Sequence, residues 1–99
     1  MKVCTLSIMN TLGLHARAAA KFVNTAGMFT SRVRVARGER EVDGKSIMGL
    51  LLLAAGHCSE IRISADGADE HEAIASLCAL VERGFDESAL DTGRDGSCA

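Results

Sequence analysis

The chain has 99 residues, a formal net charge of −2 and 47% apolar residues, with no Trp, Tyr or Pro. That size supports one domain around one core, built from Leu, Ile, Val, Ala, Met and three Phe residues. Charges of both signs are spread along the chain, which argues against nucleic acid as a main partner, because backbone binding needs a basic stripe.

Residues 2–9 alternate, with Cys4, Leu6 and Ile8 on one face and Thr5 and Ser7 on the other, as in a half-buried strand. Residues 10–13 read as a loop. Residues 16–26 predict a helix with Ala16, Ala19, Ala20, Val23 and Ala26 on its buried stripe and Arg17, Lys21 and Asn24 on its wet one. Gly27 suits the C′ position. Arg32-Val33-Arg34-Val35 alternates as a second strand, Gly38-Glu39 signals a turn, and residues 40–43 form a third strand, giving a hairpin. The cluster Arg32, Arg34, Arg37 and Arg40 reads as the solvent face of that strand and turn. Ser46 caps a short helix of about 47–54 that stops at Gly56.

Ile61, Ile63 and Ala65 alternate with Arg62 and Ser64 as a fourth strand. Asp69 with Glu72 resembles a capping box. Ile74, Leu77, Cys78 and Val81 then recur at helical spacing up to Gly84. The domain is expected to span 1–87, with 88–99 a disordered tail. The order βαββαβα, with strands wet on one face, predicts an α+β two-layer sandwich with a largely antiparallel sheet.

Cys4, Cys58, Cys78 and Cys98 show no Cys-x-x-Cys spacing, so the expectation is reduced thiols in a cytoplasmic protein, with no metal site. The N-terminus has no apolar signal core, and the longest apolar run, Ile47 to Ala55, is too short to span a bilayer. No membrane partner is expected.

The chemistry concentrates in Gly13-Leu14-His15-Ala16-Arg17, which runs directly into the helix-compatible Ala18-Ala19-Ala20-Lys21-Phe22-Val23. A helix start offers unpaired N–H groups and about half a positive charge, and such ends bind phosphate. An imidazole with one unprotonated nitrogen is a nucleophile. The Arg17 guanidinium matches phosphate oxygens. The segment therefore predicts a site for carrying an anion, foremost a phosphoryl group; the plainer alternative is a solvent-exposed His near a helix start.

The run Ile47 to Ala55 is apolar all round. A two-turn helix can bury one stripe, here Ile47, Leu50, Leu53 and Ala54, which leaves Met48, Leu51 and Leu52 to form a partner surface. The alternative is a helix fully covered by the tail or by a dimer partner. Ser46 has two compatible readings, a cap worth about 1 kcal/mol and a phosphorylation site facing a helix end. His57, Cys58 and His71 are further candidates, and His15 with His57 and Cys58 could form a metal set, although their spacing matches no ligand pattern.

Gly13-Leu14-His15-Ala16-Arg17, Ser46-Ile47-Met48-Gly49 and the element order together resemble HPr, the histidine-containing phosphocarrier family of the bacterial phosphotransferase system. The resemblance covers roughly residues 2–86. Ala18 to Val23, Ser46-Ile47-Met48 and Arg83-Gly84-Phe85-Asp86-Glu87 are similar to NPr, the nitrogen-related branch. Many HPr proteins have Pro where this chain has Ala18; Pro stiffens a first helical turn, and Ala is the best helix former.

The resemblance implies an open-faced sandwich with strand order 1-4-2-3 and three helices on one face. It implies that His15 is the phosphoryl acceptor, that His15, Ala16 and Arg17 hold the phosphate, and that Ser46 is regulatory. The implied partners are Enzyme I, EIIA-type proteins and a serine kinase/phosphorylase acting on Ser46. Ile47, Met48, Leu51 and Leu52 would be the docking surface. The chain would be a monomeric stoichiometric carrier, not an enzyme, and would need no cofactor. A regulatory binding module of the same fold, acting mainly by docking, is the alternative.

Overall fold

Residues that alternate in sequence alternate in burial, and this builds the sheet. The computed structural model describes residues 1–10 and 12–85. In chain order the elements are β1 (Lys2–Ser7), α1 (Ala16–Ala26), β2 (Arg32–Arg37), β3 (Arg40–Asp43), α2 (Ile47–Leu52), β4 (Glu60–Asp66) and α3 (Glu70–Glu82). The four strands form one antiparallel sheet in the order β1-β4-β2-β3. Its register sets Cys4 opposite Ile63, Ile63 opposite Val35, and Val35 opposite Val42. Val33, Val35, Ile61, Ile63 and Ala65 are buried, while Arg32, Arg34 and Arg62 between them stay exposed. The buried side packs on Phe22, Leu50, Leu77, Val81 and Phe85 in one core. α3 lies over β1 and β4, and α1 contacts both other helices. Fold class and strand order are those expected.

Several local expectations change. The buried face of α1 is Ala18, Ala19, Phe22 and Ala26, whereas Ala16 is exposed and Ala20 and Val23 are half-buried. Apolar residues nearly surround this helix, so Phe22 sets its phase: burying a ring gains far more than burying a methyl. Gly27 keeps a right-handed φ of −67° and is not a left-handed cap. α2 stops at Leu52 because Ala54 takes a left-handed φ of 52°, and Ala54 is exposed.

Arg37 and Arg40 are more than a solvent face. Their guanidinium groups donate to Leu53 O at 3.2 Å and Leu52 O at 2.6 Å, satisfying the last carbonyls of α2. Arg34 pairs with Glu41 at 2.9 Å.

Asp69 is the N-cap of α3, but no capping box forms there. Its carboxylate instead accepts the Thr30 N–H at 2.8 Å, the Ser31 N–H at 2.9 Å and the Ser31 hydroxyl, stapling the α1–β2 connection to α3. Cys4 and Cys78 are free thiols, as expected, but Cys58 is disulfide-bonded, which corrects the expectation of reduced thiols throughout. The tail expected at 88–99 lies outside the described residues.

Candidate functional site

His15 is the N-cap residue of α1, with extended backbone angles and no side-chain cap bond. The helical ladder starts with Ala19 N–H donating to His15 O at 2.8 Å. The N–H groups of Ala16, Arg17 and Ala18 therefore precede the ladder at the positive end of the helix dipole. No acidic residue lies in the first turn to compete with an anion. His15 is half-buried, and Ala16 and Arg17 are exposed. An imidazole, a helix N-terminus and an exposed guanidinium thus lie within three consecutive residues.

The turn before His15 is held by its backbone. Gly13 has a φ of +69°, and a Cβ there would come within 2.6 Å of both Ala55 O and Gly56 Cα. The buried Asn10 donates through Nδ2 to Gly13 O at 2.7 Å. Leu14 N–H donates to Ala55 O at 2.8 Å. Just upstream, Ile8 exchanges backbone bonds with Cys58 and Ser59, at 2.8 and 2.9 Å. None of these supports was singled out from the sequence. Only Gly13, directly before a Leu-His helix start, carried a signal that a special backbone angle was needed.

Ser46 caps α2, its Oγ accepting the Gly49 N–H at 3.0 Å. Met48 and Leu52 are 69% and 62% exposed, and Ile47 is 41% exposed. Ile47 therefore leaves the expected buried stripe and joins the surface. Leu51 goes the other way and packs partly against the core. α1 and α2 pack together, so this apolar surface and the His15 helix belong to one side of the molecule.

His57 and His71 are exposed, and the described residues bring no three His, Cys, Asp or Glu side chains together as a metal set. A groove of about 410 Å³ lies between the far end of α1 and α3, lined by Thr25, Met28, Ala75, Ser76, Ala79 and Arg83. None of the site residues lines it. Among the described residues no helix is long and apolar enough to cross a membrane.

Residues 3–83 match the family described as the phosphotransferase-system HPr component phosphorylation site. The chain belongs to the HPr family. The phosphocarrier protein HPr of Cupriavidus necator is 51% identical over 81 residues, covering 82% of this chain and 91% of the relative. The phosphocarrier protein NPr of Shewanella violacea is 38% identical over 84 residues, covering 85% and 92%. A crystal structure of HPr from Thermoanaerobacter tengcongensis superposes with a TM-score of 0.86 at 44% identity, over 89% of this chain and 99% of that one. A second structure of that HPr, described as a dimer, gives a TM-score of 0.71 at 45% identity, over 88% and 100%. Phosphocarriers of the phosphotransferase system are thus the family in which this His15 corner has to be understood, and identity to the HPr relative exceeds that to the NPr relative.

Proposed function

We propose that His15 accepts a phosphoryl group from phosphorylated Enzyme I, whose own donor is phosphoenolpyruvate, and passes it to a histidine of an EIIA-type protein. The observation that carries this reading is the position of His15 at the N-cap of α1, inside the residues matched to a phosphorylation-site family. An unprotonated imidazole nitrogen attacks phosphorus, and the new N–P bond forms as the donor's bond to phosphorus breaks. Charge on the three equatorial oxygens is met by the N–H groups of Ala16 and Arg17 and by the Arg17 guanidinium. The bond formed is reactive, so alignment of donor and acceptor supplies most of the catalysis in either direction.

The apolar surface of Ile47, Met48 and Leu52, with Leu51 at its base, docks the two partners in turn. One surface serving two partners calls for a small, short-lived interface. Ser46, at the border of that surface, is a regulatory position for a serine kinase/phosphorylase. The carrier works as a cytoplasmic monomer without a cofactor, in sugar uptake or in nitrogen-related regulation.

The test is intact-mass analysis after mixing the chain with Enzyme I and phosphoenolpyruvate. A gain of one phosphate, labile to acid and removed by an EIIA-type acceptor, is the expected result. No gain, with binding to Enzyme I retained, would favour a regulatory module that acts by docking alone.

A further inference from the structure

Where β1 passes beneath α3, two free thiols meet. Cys4 lies on the helix-facing side of β1, in line with Leu6 and Ile8. Cys78 follows the fully buried Leu77 on α3. The two thiols are hydrogen-bonded to one another. Both side chains are half-buried, so a small solute can reach them, while the packing of α3 on β1 keeps them paired. Neither takes part in the phosphoryl site.

We propose that Cys4 and Cys78 form a peroxide-reactive dithiol site that closes to a disulfide joining β1 to α3. In the first step the Cys4 sulfur attacks one peroxide oxygen. An S–O bond forms, the O–O bond breaks, and the second oxygen leaves as water, giving a sulfenic acid on Cys4. The Cys78 sulfur then attacks the Cys4 sulfur. The S–S bond forms, the S–O bond breaks, and the sulfenic oxygen leaves as water with the Cys78 proton. Two thiols lose two electrons, and one peroxide becomes two waters.

Burial, then the hydrogen bond and charge of Cys4, push the Cys78 thiol up to about 12, so Cys78 keeps its proton until it closes the disulfide. Disulfide geometry needs sulfurs that can close to about 2.05 Å, and hydrogen-bonded thiols across a strand–helix contact are already near neighbours.

The full chain, first reduced, is titrated with hydrogen peroxide, alkylated and digested with trypsin. The expected product links peptide 3–17, which holds Cys4, to peptide 63–83, which holds Cys78. It should form roughly tenfold or more faster in the folded chain than in urea, raise the melting temperature by several degrees, and vanish in both Cys4→Ser and Cys78→Ala. Accumulation of sulfinic acid on Cys4 without this link would overturn the proposal. So would linkage of Cys4 or Cys78 only to Cys58 or Cys98, or equal rates with and without urea.

Discussion

The backbone N–H of Leu14 donates to the carbonyl of Ala55 at 2.8 Å, tying the residue before His15 to the chain leaving α2. Gly13 makes this approach possible, since it has no Cβ and accepts a φ of +69°. Gly13→Ala should therefore lower stability by about 1–3 kcal/mol through backbone strain and a forced shift of the turn. Phosphorylation should slow by roughly tenfold or more as His15 is displaced. Thermal melts and single-turnover phosphorylation read both effects, and wild-type values in both would refute the anchoring role.

His15→Ala should abolish phosphorylation while leaving the melting curve close to that of the wild type. The first helical bond of α1 is made to the His15 backbone carbonyl, which alanine retains, so the helix start should persist. His57→Ala and His71→Ala, both at exposed positions, should retain full transfer. Phosphate incorporated into the His15 variant would remove the basis of the proposed function.

Arg17→Ala should slow transfer by about 10²–10³, the usual loss for one charged donor at a developing anion. Arg17→Lys should recover only part, because an ammonium lacks the planar fork. Rapid-quench measurements on both variants decide the point. If both transfer at the wild-type rate, the helix end alone handles the phosphoryl charge.

Ser46 separates stability from docking. Its Oγ holds the Gly49 N–H, so Ser46→Ala should cost about 1 kcal/mol. Ser46→Asp should keep the cap and gain from the helix dipole. The added charge sits beside Ile47 and Met48, where it makes burial of the apolar surface costlier and repels acidic partners. The Asp variant should melt like the wild type yet be phosphorylated more slowly by Enzyme I, with the gap shrinking in high salt. Three equal phosphorylation rates would leave Ser46 as a cap alone.

The staple at Asp69 predicts an acid limit. The Ser31 hydroxyl first, and then the Thr30 N–H, lower the Asp69 carboxyl from 3.8 to about 2. A depressed folded-state value means that the stabilisation is fully present above the ordinary value and is lost as pH falls through about 2. Asp69→Asn should thus melt lower than wild type at neutral pH, and the two curves should converge between about pH 4 and pH 2. A gap that stays constant across this range would assign the role of Asp69 to shape and not to charge.

Much of this was legible in sequence because β4 and the first four residues of β2 alternate and His15 stands at a helix start. What was not legible shares a cause. The buried stripe of α1 was misjudged, since its alanines mark burial only weakly and the core turns Phe22 inward. The Asp69–Glu72 pair has the spacing of a capping box, but the Thr30–Ser31 backbone, distant in sequence, outcompetes it for the carboxylate. Leu14 meeting Ala55, Cys4 meeting Cys78 and Arg40 meeting Leu52 are likewise contacts between distant segments. They depend on packing that no local pattern encodes.

The strand order has a consequence for how a new chain acquires its site. Among the described residues β1 pairs with β4 alone, so the first strand made must wait for the last. Beyond the local Asn10 bond, the supports of the His15 turn come from positions 55–59, which also follow it by many residues. During synthesis at about 5–20 residues per second, His15 leaves the ribosome seconds before the backbone that orients it. Until then, β1 carries an unpaired edge on both sides and the turn lacks its anchor at Ala55. On the proposed function, a nascent chain is a poor phosphoryl acceptor until β4 pairs with β1 and β2, however early its histidine appears.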